Sequence, residues 1–285
     1  MSRRYLYFAV AIAVAFPAAA RPPAHHRASA SHARAAASHH PAAAAPADCS
    51  TFYAGGKSPA AVAPGGDSGR IFCHSFYSVG YSTSYRNPLW SAEHLTAAIA
   101  AGGDATKRLK SIRFHAEPDL KPAQQGSHDD YERPWDRGHM TPANDAENPT
   151  TQRDTFVVTN IVPQHANLNE RLWQYLEASV HQLAKDDGEV YIVTGPVFDA
   201  HPRLMGGRIA IPASTFKAIY DPARNVAVAY IATNEAAPTC KVISVAEVTR
   251  ATGIDPFPSL AATAKDHVPA LVLPKGPAVP LPDCR

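Results

Sequence analysis

The sequence predicts an α+β fold, with a mainly antiparallel central sheet flanked by helices. Two observations carry that expectation. Short runs of alternating or β-branched apolar residues recur along the chain, separated by Pro, Gly and Asn turns. One long helical pattern interrupts them, where a doubly wound parallel sheet would need a helix after nearly every strand.

The first segment reads as an export leader, residues 1–20. Arg3 and Arg4 precede an apolar run from Tyr5 to Phe16, and Ala18, Ala19 and Ala20 offer a small-residue cleavage site. The run is too short for a membrane span, which needs about 20 apolar residues. Residues 21–48 are rich in Ala, His and Pro and hold no large apolar side chain, so they predict a disordered segment. His25, His26, His32, His39 and His40 fall there, and loose metal binding by them is the alternative to a bland linker. The folded domain is expected over 49–285, behind a leader that places it as secreted or periplasmic, with no membrane partner once the leader is removed.

Within that domain, Tyr77 to Tyr85 alternates like a strand and Pro88 to Ala101 suggests a short helix. Residues 102–135 look loop-rich, and the β-branched run Phe156 to Val162 reads as a buried strand. Ala166 to Lys185 is the clearest helix, with Leu168, Leu172, Leu176 and Leu183 at helical spacing and Gly188 at its stop. Glu189 to Phe198, Arg208 to Tyr220 and Val226 to Thr233 follow as strands, and the Pro-rich residues 262–285 are expected to wrap the surface. The four cysteines allow three pairings. Cys49–Cys73 with Cys240–Cys284 is favoured, because each bond closes a short loop and staples one end of the domain.

Charge excludes one explanation of function. The chain carries 27 basic and 25 acidic residues. Removing Arg3 and Arg4 with the leader, then Arg21, Arg27, Arg34 and Asp48, leaves 22 against 24. No strong global field draws in polyanions, and no basic helical stripe is visible, so any nucleic-acid binding must use a local patch.

The chemistry-bearing stretch runs from Asp136 to Glu177. Asn169, Trp173 and Glu177 recur every four residues and predict one helical stripe. An amide oxygen and a carboxylate on such a stripe can hold a hard divalent cation, although a solvated polar face has the same pattern. His139 follows Asp136-Arg137-Gly138, where the glycine permits a sharp turn and the aspartate could orient the imidazole. Phosphodiester hydrolysis needs a base to activate water and a cation to offset the developing charge.

DRGHM, TNIVPQ and NLNERLWQYLE, in that order and spacing, resemble the sugar-non-specific DNA/RNA endonucleases with a ββα-metal active site. Tyr85 to Trp90, Val193 to Phe198, Ile211 to Lys217 and Glu247 to Leu260 extend the resemblance over residues 70–260. It implies His139 as general base and Asn169 as the direct ligand of Mg²⁺, with Mn²⁺ able to substitute. Glu177 would complete the metal's surroundings through water. Arg113 would stabilise charge on the phosphate, with Arg133 as its competitor. Arg137, Asn160 and Asp136 would lie near the phosphate and its scaffold. DNA and RNA are the implied substrates, cut to leave 5′-phosphate ends, and a homodimer and a protein inhibitor are left open. The same residues would also serve a metal-dependent phosphodiesterase on small esters, or an inactive nucleic-acid binder.

Overall fold

The computed structural model describes residues 48–110, 112–269, Leu273, Pro274 and Cys284. The expected leader and the Ala/His/Pro segment up to residue 47 lie outside the described residues, as does most of the Pro-rich tail.

Seven antiparallel strands form the central sheet: β2 (Arg70–Cys73), β3 (Tyr77–Ser82), β4 (Asn87–Thr96), β7 (Glu189–Val197), β10 (Ser214–Asp221), β11 (Val226–Thr233) and β12 (Cys240–Ile243). Their order is β12-β11-β10-β7-β4-β3-β2. Three small ladders lie outside it. β1 (Ala60–Ala61) pairs with β13 (Ile254–Asp255), β8 (Leu204–Met205) with β9 (Ile209–Ala210), and β5 (Trp135–His139) with β6 (Ile161–His165).

Both faces of the sheet are covered. Leu95, Val190, Ile192, Ile219 and Val228 pack against α1 (Ala97–Ala105) and α3 (Gln174–Asp187), which contributes Leu176, Val180 and Leu183. On the other face, Trp90, Val193, Phe216 and Ala229 meet Val245 and Val248 of α4 (Val245–Thr252) and the segment around Tyr53. Two further helices are short: α2 (Pro149–Asp154) and α5 (Ala262–Lys265). Among the described residues, no helix is long and apolar enough to cross a membrane.

This double-sided burial corrects one expectation. Pro88 to Ala101 is largely β4, with the helix beginning only at Ala97. A strand apolar on both faces loses its alternation, and a short apolar run then reads equally well as helix. Thr96 ends the strand and caps the helix, its hydroxyl accepting from Ile99 N at 3.2 Å. The run Phe156 to Val162 is also later in register than expected: it turns through a single 3₁₀ loop at Val158–Asn160 before β6 starts. Arg208 to Tyr220 divides into β9 and β10 around Pro212.

Gly188 ends α3 as expected, its φ of 94° lying where side chains are strained and its N–H donating to Ala184 O at 3.0 Å. Both favoured disulfides are present, Cys49–Cys73 and Cys240–Cys284.

Candidate active site

The β5–β6 hairpin and the helix after it build the site. β5 and β6 pair in the register Asp136↔Gln164, Gly138↔Val162 and His139↔Ile161. Asn234 ties the hairpin to the sheet: its amide donates to Pro163 O and Pro212 O, both at 2.9 Å, and its oxygen accepts from His165 N at 2.7 Å. Gly138 is an extended strand residue, where a sharp turn had been expected. A Cβ there would stand 2.4 Å from Gln164 Oε1, so glycine is required because the neighbouring strand's glutamine lies across it.

The chain leaves β6 through a π-helical turn, Leu168–Trp173, and continues directly into α3. The widened turn breaks the predicted stripe. Asn169 and Glu177 face a common cavity, whereas Trp173 is 1% exposed and belongs to the core. Beneath it lies Lys217, fully buried, with Nζ 5.7 Å from the Trp173 ring centroid and 2.7 Å from Thr194 Oγ1.

The cavity encloses about 430 Å³ and is lined by His139, Asn169, Glu177, Asp136, Arg137, Arg108 and Phe114, among others. His139 stands between two aromatic rings, its centroid 5.1 Å from Phe114 and 5.0 Å from Phe156. Burial, reinforced by the Arg108 charge, pushes its pKa down to about 3. The imidazole is therefore neutral near pH 7, and its buried Nε2 has no hydrogen-bond partner among the described residues. With the proton on Nδ1, that nitrogen is a free base. Asp136 does not orient it. Its carboxylate instead accepts from Asn169 Nδ2 at 3.1 Å, which leaves the Asn169 carbonyl oxygen for another partner. Burial raises Glu177 to about 7, against the opposing pull of Lys217.

The remaining expected residues divide. Arg137 lines the cavity, its guanidinium held by His128 O at 3.1 and 2.7 Å and lying over Tyr131. Asn160 does not line it. Fully buried, it donates to Thr141 O and Thr155 O and accepts from Thr141 N, clamping the turn that follows His139. Arg113 points elsewhere, its side chain 75% exposed and 3.3 Å from Asp129. Arg133 is bound outside the cavity lining by Asp136 and Glu170 at 3.9 and 3.6 Å. The second arginine at the cavity is Arg108, which the sequence reading missed. Its cue was present in the basic run Lys107-Arg108-Leu109-Lys110, but nothing local says which cation faces the hairpin.

No three or more His, Cys, Asp and Glu side chains converge into a metal cage among the described residues. An Asn169 oxygen with its amide nitrogen already spent, and one carboxylate across the same cavity, form a different donor set. They suit a hard divalent cation that keeps most of its water.

Residues 54–263 match the family model of the DNA/RNA non-specific endonucleases. The chain belongs to this family. Nuclease C1 of Cunninghamella echinulata var. echinulata is 33% identical over 159 residues, which is 51% of this chain and 63% of that one. The human mitochondrial nuclease EXOG is 29% identical over 160 residues, 52% and 43% of the two chains. This family member thus spans about half the length of the curated relatives it matches. In three dimensions it is similar to endonuclease G in a complex with EndoGI, with a TM-score of 0.61 and 26% identity over 69% of this chain and 89% of that one.

These relatives overturn the expected secreted or periplasmic location. EXOG, bovine endonuclease G and the Saccharomyces cerevisiae nuclease are all named as mitochondrial. The misreading has a physical basis. Residues 1–47 contain Arg3, Arg4, Arg21, Arg27 and Arg34, several serines and no acidic residue, a composition that organelle transit segments share with export leaders.

Proposed function

We propose that the protein is a metal-dependent endonuclease that hydrolyses phosphodiester bonds in both DNA and RNA and leaves 5′-phosphate ends. The observation that carries this reading is the juxtaposition of a neutral His139 with a free Nε2, the Asn169–Glu177 pair and two arginines around one cavity. The reading takes its substrate class from the family and the relatives' names.

His139 Nε2 accepts the proton of the attacking water. Arg108 and Arg137 bind the phosphate oxygens and favour the extra negative charge of the transition state. Asp136 positions Asn169 through their 3.1 Å hydrogen bond. Asn169 Oδ1 and Glu177 would hold Mg²⁺, or Mn²⁺ in its place. That cation would offset charge on the scissile phosphate and the leaving oxygen. Contacts to phosphate carry no sequence information, and the phosphodiester is common to DNA and RNA. The catalytic domain is assigned to residues 49–285, consistent with disulfides that tie down Cys49 and Cys284 near its ends. A protein inhibitor as partner is in keeping with the inhibition of endonuclease G in its complex with EndoGI.

The test is digestion of plasmid DNA and total RNA with Mg²⁺, with EDTA, and by Asn169→Ala. Fragmentation of both substrates only with metal, and near-complete loss in the variant, is expected. A folded protein that cuts neither substrate with any divalent metal would sink the reading.

A further inference from the structure

We propose that Lys107 and Lys110, on either side of Arg108, form a phosphate-binding rim that carries the nucleic-acid strand away from the catalytic cavity. This rests on the nuclease reading and adds the surface that holds substrate beyond the bond being cut.

Three observations point to it. First, the chain between Asp104 and Glu117 contains no acidic residue, and of its lysines and arginines Arg113 alone forms an ion pair among the described residues. Lys107, Arg108 and Lys110 are all exposed, and none forms an ion pair among the described residues. Two other arginines near the site are already paired with carboxylates: Arg133 with Asp136 and Glu170, and Arg113 with Asp129.

Second, the segment is anchored. Thr106 Oγ1 donates to Glu147 O at 2.9 Å, and Leu109 N donates to Gln152 Oε1 at 2.7 Å. Arg108 lies over Phe156, 5.6 Å from its centroid, and lines the cavity. The two lysines therefore sit on a backbone held at two points and flank in the chain the arginine that lines the cavity, so little ordering entropy is left for substrate to supply.

Third, a neighbouring opening, which reaches Asp104 and Thr106 just before Lys107, is unsuitable for a phosphate chain. A second cavity of about 360 Å³ shares Pro142, Asn144, Gln174 and Glu177 with the first. Its walls carry Asp104 and Asp145, and the nearby cations are spent on them: His181 bonds both carboxylates, at 3.2 and 2.6 Å, and Lys185 bonds Asp104 at 2.5 Å. In a domain of nearly balanced charge, this asymmetry sends the strand over the lysines.

The test is a salt titration of binding. His139→Ala protein is mixed with labelled duplex and single-stranded DNA, and affinity is followed against salt with and without Lys107→Ala/Lys110→Ala. Each lost phosphate contact lowers the slope of log affinity against log salt by about 0.9 on duplex and about 0.7 on single strands. The double variant is expected to lose nearly twice that, at every sequence tried, and Lys107→Arg/Lys110→Arg to restore it. An unchanged slope overturns the rim, as does weaker binding without a slope change, which would mark a purely structural effect. Loss of binding to an acidic protein inhibitor alone would also overturn it and assign the lysines to that partner. If His139→Ala protein binds no nucleic acid at all and the wild type cuts none, the nuclease reading falls as well. Binding with an unaltered slope removes only the rim.

Discussion

His139 sits between the rings of Phe114 and Phe156, and burial holds it neutral, with Asp136 engaged elsewhere. That arrangement keeps Nε2 free at neutral pH, as the proposed role of general base requires. Replacing it by alanine should lower kcat by about 10²–10⁴-fold, the ordinary worth of a positioned base, while substrate binding survives. Near-wild-type turnover by His139→Ala would remove its role. The two arginines offered by the sequence and by the structure can be separated in the same way. Arg108→Ala should lose at least ten times more kcat/KM than Arg113→Ala, because only Arg108 reaches the cavity. Equal losses would return the phosphate contact to Arg113.

At the scale of elements, the β5–β6 hairpin is the part that must not move. Gly138→Ala would drive a Cβ into Gln164, and relief requires the two strands to separate or the glutamine to leave its buried place. Overpacking of this kind costs about 1–3 kcal/mol. Chemical denaturation should show that loss, and activity should fall by more than unfolding alone accounts for, since His139 is the next residue. Asn160→Ala removes three hydrogen bonds from the turn after His139 and strands two buried carbonyls and an N–H. A loss of about 2–4 kcal/mol is expected, with metal binding little altered. A stable Asn160→Ala protein that no longer binds substrate would instead make Asn160 a direct contact. The π-helical turn Leu168–Trp173 acts at the same scale: it lets Asn169 and Glu177 share a cavity while Trp173 fills the core.

For the whole molecule, burial of neutral histidines links stability to pH. His74 and His139 have folded pKa values of about 4 and about 3, against an ordinary 6.5, with burial the leading cause for both. The folded state binds fewer protons than the unfolded one between those limits. Their stabilising effect is complete above pH 6.5 and is lost as pH falls toward 4 and then 3. His181 has the opposite sign. Its pKa is raised, since Asp145 and Asp104 outweigh the cost of burial, so its contribution is present in acid and fades as pH rises through the raised value. Glu177, raised to about 7, also gains stability in acid, so the rings are read by difference: the change in Tm from pH 7 to 4 should be less unfavourable in His74→Gln/His139→Gln than in the wild type, and an equal change would show that the two rings are not buried neutral.

Much of this protein was legible in the order of its residues. The strands β3, β7 and β11, the helix ending at Gly188 and both disulfides follow from local pattern and spacing, whereas His139, Asn169 and Glu177 stood out only through the resemblance of their motifs to a family, because pattern alone reads equally as a core histidine and a solvated helix face. Strands and helix ends are set by neighbours a few residues apart, where propensity and periodicity act, and the disulfides by the closure of the shorter loops, 24 and 44 residues. Only the tertiary structure decided the rest. It made Pro88 to Thr96 a central strand, because cover on both faces erases alternation. It showed why residue 138 must be glycine, because the obstacle is a side chain from another strand. It assigned Asp136 to Asn169, Asn160 to the turn and Arg108 to the cavity, since each of those contacts depends on how the hairpin and the loop before it meet in space.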